Sequence, residues 1–382
     1  MSFDDDELLL LTPGPVSVHP RVLKALSNPI RYHRNKEFLE ALDWVSKFIS
    51  KIEGTQNLTI PLTGSGTAAM DAALSSISKP HSRILSLVNG VFSKRMYDIA
   101  KYYSDDVVLY EKVWGKAITK EDAQLALEKG PFDIVTIVQN ETSTGVLNPM
   151  KEIMSEITKS GAVSIVDGIT AVGGDFVEVD KWGVDVMITA SQKCIGAPPG
   201  MSFITISDKV MKALEQDSRG RSYYLDVRNY IKGNNINIPF TTSTPTLLAV
   251  GEALKMIEEE GINNRIARHR LMAQAVRTGL RGMGLSIFAE EGYESNTVTA
   301  VNLQNSNSVV AQARQYGVLF AEGQGILTDK ILRFGHMNLV GKREVLIGLA
   351  TLELALKDLN ANFIEDKGVL SALKLFESMQ SQ

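Results

Sequence analysis

Through the middle of the chain, apolar positions fall into two alternating textures. Short runs rich in β-branched residues recur as RILSLVNG (83–90), DVVLYEKV (106–113), FDIVTIVQN (132–140), AVSIVDGI (162–169), VDVMITA (184–190) and MSFITIS (201–207). A strand with one face in water alternates apolar with polar residues, whereas a nearly continuous apolar run indicates that both faces are covered. Between most of these runs lie segments with helical spacing, such as KRMYDIAKYY, EDAQLALEK and MKEIMSEITKSG. Strands joined by helical crossovers predict a mostly parallel central sheet sandwiched by helices, the α/β class.

From about residue 244 the texture changes. LLAVGEALKMIEEEGINNRIARHRLMAQAVRTGLRGMG reads as a long helical stretch with one break at Gly261 and a glycine-rich end. TVTAVNL, VLFA and ILRFGHM follow, separated by helical segments, and the chain closes on two amphipathic stretches, KREVLIGLATLELALKDL and VLSALKLFESM. The expected organisation is an N-terminal arm (1–20), a large α/β domain (21–260) and a small C-terminal α+β domain (261–382). No repeat, low-complexity tract or Pro/Ser-rich linker separates the two domains, so they should pack together along the long helix.

Composition narrows the function classes. The formal charge is only −4 over 382 residues. That leaves no basic footprint for nucleic acid and no polybasic patch for anionic lipid. No apolar run approaches the roughly 20 residues needed to cross a bilayer, and the acidic opening MSFDDDELLLL is unlike a signal peptide. A single cysteine suits a reducing interior, and a cytoplasmic location is expected.

In open α/β sheets, ligands bind beyond the carboxyl ends of the strands, so the residues just after each run are the ones to inspect. PLTGSGTAAMDAAL (61–74) places a Gly-Ser-Gly-Thr turn directly before an Ala-rich helix. Helix N-terminal amides with the Ser65 and Thr67 hydroxyls beside them can hold one phosphate, although a simple N-cap needs the same residues. Asp167 ends one buried run, where a carboxylate is costly unless a cation or several donors meet it; capping the next turn is an equal alternative. Lys193 follows another run, and desolvation there would lower its pKa and make it a nucleophile, while a lysine snorkelling at a strand end is the commoner case. Taken together, a one-phosphate cradle, an acid and a lysine match the demands of pyridoxal 5′-phosphate. The five histidines (His19, His33, His81, His269, His336) are scattered, and no metal-ligand spacing competes.

The chain resembles the fold-type I pyridoxal-phosphate enzymes of the class V aminotransferase family, in the alanine–glyoxylate and serine–pyruvate group. The resemblance covers nearly the whole chain and rests on LLLTPGPVSVHPRV (9–22), RYHRNKEF (31–38), TGSGTAAMDAAL (63–74), NGVFSKR (89–95), NETSTGVLNP (140–149), VDGITAVGG (166–174), SQKCIGAPPG (191–200) and ILRFGHMN (331–338). It implies that Lys193 holds the cofactor covalently and Asp167 pairs with its ring nitrogen. Ser65, Gly66, Thr67 and Gln192 would bind the phosphate, with Thr241 reaching the cofactor of a neighbouring subunit. Phe92 would cover the ring. Thr142 and Ser143 would meet the cofactor's phenolic oxygen or the substrate, Arg333 would grip the substrate's α-carboxylate, and Gly14 and Pro15 would line the substrate side.

Two positions depart from the family pattern. Ile238 stands where some relatives carry a phosphate-binding tyrosine, and Phe92 stands where a tryptophan is usual. With no second arginine assignable to a distal carboxylate, the expected donor is a small neutral amino acid, serine or alanine, and the acceptor pyruvate or glyoxylate. Ureidoglycine-using members of the group remain an alternative. A cysteine desulfurase is disfavoured because the only thiol, Cys194, adjoins the lysine and should pack as a small buried residue. Phosphoserine chemistry would need further basic residues. A rival from another class is a nucleotide-binding α/β protein in which Lys193 is only structural. The family also implies a homodimer with active sites at the interface.

Overall fold

The computed structural model describes residues 8–217, 220–233 and 235–380; the acidic opening of the chain and its last two residues lie outside them. The α/β expectation is met by a seven-stranded sheet. Its strands are β1 (Leu58–Thr63), β2 (Arg83–Val88), β3 (Asp106–Glu111), β4 (Ile134–Val138), β5 (Val163–Asp167), β6 (Val186–Ala190) and β7 (Met201–Ile206), in the spatial order β1-β7-β6-β5-β4-β2-β3. Every residue of β4, β6 and β7 is buried, while edge strand β3 is partly exposed along its length. The density of apolar residues therefore tracks position in the sheet.

All pairings are parallel except those of β7, which runs antiparallel to both β6 and β1. The reason is visible in the connection. A parallel return needs a crossover of a dozen or more residues, and only residues 191–200 lie between β6 and β7. The stretch SQKCIGAPPG thus serves as a short reversal, and its lysine cannot stray from the sheet edge. β1, LTIPLT, carries Pro61 and sits at the edge, where a missing ladder donor is tolerated.

Apolar side chains alternate between the two faces of the sheet. Leu85, Val135, Ile137, Val166, Met187 and Phe203 enter one core; Ile84, Ile134, Val138, Ile165, Ile188 and Ile204 enter the other. Helix α1 (Gly66–Ile77) follows β1 and helix α2 (Val91–Tyr103) follows β2. The long helical stretch divides at Gly261, at φ +79°, into α3 (Thr244–Glu260) and α4 (Ile262–Gly282). Leu247, Val250, Leu254 and Ile257 of α3 belong to the first sheet core, whereas Met272, Val276 and Leu280 of α4 belong to a third.

That third core lies over β8 (Val298–Asn302), β9 (Ala321–Glu322) and β10 (Ile331–Gly335), antiparallel in the order β8-β10-β9, with α5 (Lys342–Asp358) and α6 (Gly368–Gln380) packed on it. The run VLFA proves to be two pieces rather than one strand. Val318–Leu319 pairs in parallel with Leu9–Leu10 of the N-terminal arm, and Ala321–Glu322 pairs with β10. Leu11 enters the same core, so the arm is anchored before it reaches the Pro-Gly-Pro turn. Among the described residues, no helix is long and apolar enough to cross a membrane.

Candidate active site

Parallel β1, β6 and β5 end on one side of the sheet and deliver Ser65, Lys193 and Asp167 to a common edge. Ser65 is the N-cap of the 12-residue α1, yet its side chain makes no capping hydrogen bond. The hydroxyl and the first amides of α1 are left to an anion. Gly66 opens the helix, and a Cβ there would run into Ile169 and lie 3.3 Å from the Ala190 Cβ. The Thr67 hydroxyl accepts from Arg95 Nη1 at 3.3 Å. Gln192 Oε1 is shielded from solvent with no partner among the described residues. The uncapped Ser65 hydroxyl and the helix N-terminal amides, with the Arg95 guanidinium 3.3 Å from Thr67, fit one phosphate.

Lys193 sits in the turn Ser191–Ile195 with non-helical angles (φ −115°, ψ −130°). Its amine donates to the Pro13 carbonyl at 2.7 Å. Gly14 explains how the arm comes so close: a Cβ at that position would lie 2.6 Å from Lys193 Nζ, and the residue holds φ +99°. Gly14→Ala is therefore expected to push the lysine chain aside and weaken pyridoxal phosphate binding about tenfold or more, as read by absorbance titration. An unchanged affinity would show that the arm and lysine do not interlock.

Burial sets the electrostatics. It pulls the Lys193 amine down to about 8, with the Arg333 charge acting the same way. It raises the Asp167 carboxyl to about 7, against the hydrogen bond from the Ile169 amide. Asp167 Oδ1 accepts that bond at 2.8 Å, so the turn cap is real, but it occupies one oxygen. A cationic ring nitrogen would convert the costly buried carboxyl into a paired carboxylate. Because only the neutral amine attacks an aldehyde, the rate of pyridoxal phosphate capture by cofactor-free protein should rise with pH through about 8 and then level. Stopped-flow absorbance tests this; a rise continuing towards roughly 10.4, as for an exposed lysine, would contradict the buried setting.

Arg333, on β10, is 5% exposed. Its Nε donates to the Glu322 carbonyl at 2.9 Å and its Nη1 to the Thr142 carbonyl at 3.3 Å. Burial pulls the guanidinium down to about 10. Among the described residues no carboxylate forms an ion pair with it, so a buried cation awaits an anion from outside. Arg333, Lys193, Phe92, Pro13, Gly14 and Pro15 share a pocket of about 300 Å³.

The remaining expected residues are placed as follows. Phe92 is in the first turn of α2, with the Arg95 guanidinium 5.0 Å from its ring centroid. The Thr142 side chain makes no hydrogen bond among the described residues, whereas the Ser143 hydroxyl donates to Glu141 Oε1 at 2.6 Å and accepts from Val91 N at 2.9 Å. Ser143 thus braces α2, with one lone pair of its hydroxyl still unused by these two bonds. Thr241 is exposed, while its neighbour Thr242 is bonded to Thr63 at 2.9 Å. Ile238 packs against the core. Cys194 is fully buried, with its thiol pushed up to about 12 by burial.

Three residues escaped the sequence reading. Glu141 is fully buried and accepts from Ser93 N at 2.8 Å and Phe92 N at 3.3 Å, a carboxylate on the N-terminus of α2. Arg95 joins the ring cover to the phosphate cradle. Arg265 donates to the Cys194 carbonyl at 2.8 Å, the Gly173 carbonyl at 3.1 Å and Asn338 Oδ1 at 2.8 Å, pinning the lysine turn. Glu141 and Arg95 stand inside NETSTGVLNP and NGVFSKR; Arg265 was hidden among the other arginines of its helix.

A phosphate cradle, a buried acid, a lysine of lowered basicity and a buried arginine at one edge of such a sheet define a pyridoxal-phosphate enzyme of fold type I. The Aminotransferase class-V model matches residues 22–327, and the chain belongs to that family. It is 39% identical to an uncharacterized aminotransferase of Methanocaldococcus jannaschii, over 97% of each chain. The crystal structure of pyridoxamine–pyruvate aminotransferase from Mesorhizobium loti superposes with a TM-score of 0.94 at 27% identity, covering 99% of this chain and 100% of that one. Alanine–glyoxylate aminotransferase from a Nostoc species gives 0.88 at 30% identity, covering 93% and 100%. The protein is an aminotransferase with pyridoxal 5′-phosphate as its cofactor. A nucleotide-binding protein with a merely structural lysine is thereby set aside.

Proposed function

We propose that the enzyme moves the amino group of a small neutral L-amino acid, serine or alanine, to pyruvate or glyoxylate in a ping-pong cycle. The observation that carries this is the pocket's supply of cations. Among the described residues, the cationic side chains lining it are Lys193 and Arg333. The lysine is committed to the cofactor, which leaves one guanidinium for one carboxylate. A distal carboxylate, as in aspartate or glutamate, would be desolvated without a partner.

When bound, pyridoxal phosphate supplies an aldehyde for the donor's amino group and a ring that takes up the electron pair left by the α-proton. In this reading Ser65, Gly66, Thr67 and Gln192 hold the phosphate, Phe92 covers the ring, and Asp167 keeps the ring nitrogen protonated. Arg333 grips the α-carboxylate through two parallel hydrogen bonds and so sets the direction of the Cα–H bond. Lys193 Nζ would take the proton from the donor's Cα as base and then, as acid, deliver it to the carbon that was the cofactor's aldehyde carbon, a transfer suited to an amine whose burial pulls it down to about 8. The Pro13 carbonyl steadies that amine while it is charged. Exposed Thr241 is assigned to the phosphate of a second copy's cofactor, making the working unit a homodimer.

A matrix of kcat/KM values for several donors against pyruvate and glyoxylate tests the proposal. Serine or alanine should lead. A clear preference for aspartate, glutamate or ureidoglycine would overturn it.

A further inference from the structure

Asn338 has no task in the scheme above, although each of its polar groups is engaged. It lies just beyond β10 at φ +60° and is buried. Helix α4 clamps its backbone: the amide donates to His269 Nε2 at 2.8 Å and the carbonyl accepts from Arg268 Nη1 at 2.6 Å. Its side chain serves two other segments. Nδ2 donates to the Ser17 carbonyl at 3.0 Å, and Oδ1 accepts from Arg265 Nη2 at 2.8 Å. The same Arg265 nitrogen donates to the Cys194 carbonyl at 2.8 Å. One amide therefore joins the N-terminal arm to the lysine turn.

That join bears on the reactive amine because of how the arm is hung. Pro13, Gly14 and Pro15 lie between two anchors, both supplied by the end of β10 and the residues after it: Gly335 N donates to the Leu11 carbonyl at 2.6 Å, and Asn338 Nδ2 holds Ser17. Between the anchors the arm meets the lysine turn through Val16 N, which donates to the Gln192 carbonyl at a long 3.3 Å, and through Lys193 Nζ on the Pro13 carbonyl. Gly196 approaches so closely that a Cβ there would run into the Asn338 amide. The residue type suits the place. Ser17 offers a carbonyl and Arg265 an N–H, so the group between them must present one donor and one acceptor, and asparagine tolerates the left-handed backbone better than most side chains.

We propose that Asn338 is a positioning residue for transamination: by tying Ser17 to Arg265, its side-chain amide holds the Pro13 carbonyl in register with the Lys193 amine. This rests on the reading of Lys193 as the residue that takes up the cofactor. Arg333 belongs to the same stretch, so residues 333–338 set both the carboxylate grip and the acceptor that steadies the amine.

The test compares wild type with Asn338→Gly, which accepts the left-handed backbone and removes only the side-chain amide. Pyridoxal phosphate capture by cofactor-free protein is followed across pH by stopped-flow absorbance. The wild-type rate should have its midpoint at about 8. In Asn338→Gly the charged amine loses its carbonyl acceptor, so the midpoint should fall by about one unit, the worth of one hydrogen bond to a charged group. The groups whose charge bears on the amine, Arg333, Cys194, Asp167 and Arg95, are all retained, so a merely structural loss would leave the midpoint in place. In the reloaded enzyme kcat should drop about tenfold for every amino donor, with KM within about threefold. A second variant, Asn338→Asp, also suits the backbone and keeps the acceptor for Arg265, but its carboxylate has no hydrogen for Ser17. Its added charge acts on the midpoint directly, so it is read by kcat, which should fall as in Asn338→Gly and which decides the matter should the glycine variant not fold. An unmoved midpoint in Asn338→Gly, or a wild-type kcat in Asn338→Asp, would overturn the role of Asn338. Failure of the lysine reading shows separately, as wild-type protein in which borohydride does not fix the cofactor to Lys193.

Discussion

Lys193→Ala should leave a protein that still binds pyridoxal phosphate weakly but transaminates about 10⁴-fold more slowly or worse. Two roles are removed together: the covalent hold on the cofactor and the base that moves the α-proton, a role typically worth 10²–10⁴-fold by itself. The setting explains why no neighbour replaces it. Among the pocket's lining residues the other cation is Arg333, which stays charged at neutral pH even with its guanidinium pulled down to about 10. Borohydride treatment of the holoenzyme should fix the cofactor to wild type and not to the variant. Measurable steady-state transamination by Lys193→Ala would contradict the assignment.

The second large effect is expected at Arg333. Truncating one partner of a buried, hydrogen-bonded charge pair costs roughly 2–5 kcal/mol, so Arg333→Ala should lower kcat/KM by about 10²-fold or more for every amino donor, chiefly through KM. The loss should be uniform because the α-carboxylate is common to all donors. Arg333→Lys should recover little. The fork is held by the Glu322 and Thr142 carbonyls, and an ammonium cannot reproduce its planar geometry. Donor-dependent losses, or an unchanged KM, would show that the carboxylate binds elsewhere.

Much of the fold was legible because its central strands are buried on both faces and so carry long apolar runs. β1 was harder, since Pro61 breaks the strand texture in the middle of LTIPLT. The division of VLFA could not be seen at all: Val318 and Ala321 differ in partner, not in residue type, and the partner of the first piece lies more than 300 positions earlier in the arm. At the site, Lys193 and Asp167 were readable because a charged residue directly after an apolar run is conspicuous. Glu141 and Arg95 were not singled out, since their work is to brace other side chains and such bracing has no spacing rule. At Ser143 the motif suggested a ligand contact and gave no sign of the bond its hydroxyl donates to the Glu141 carboxylate beside it.

The reversal between β6 and β7 has a consequence for how such an enzyme can change. The reactive amine rides on one of the tightest links in the sheet, braced from the far side by Arg265. The segment following β9 packs elsewhere, with Leu327 against Ala300 and Ile331, and reaches the same pocket through Gln324. Sequence change should therefore spare residues 191–200, where two buried strands and Arg265 together fix the turn.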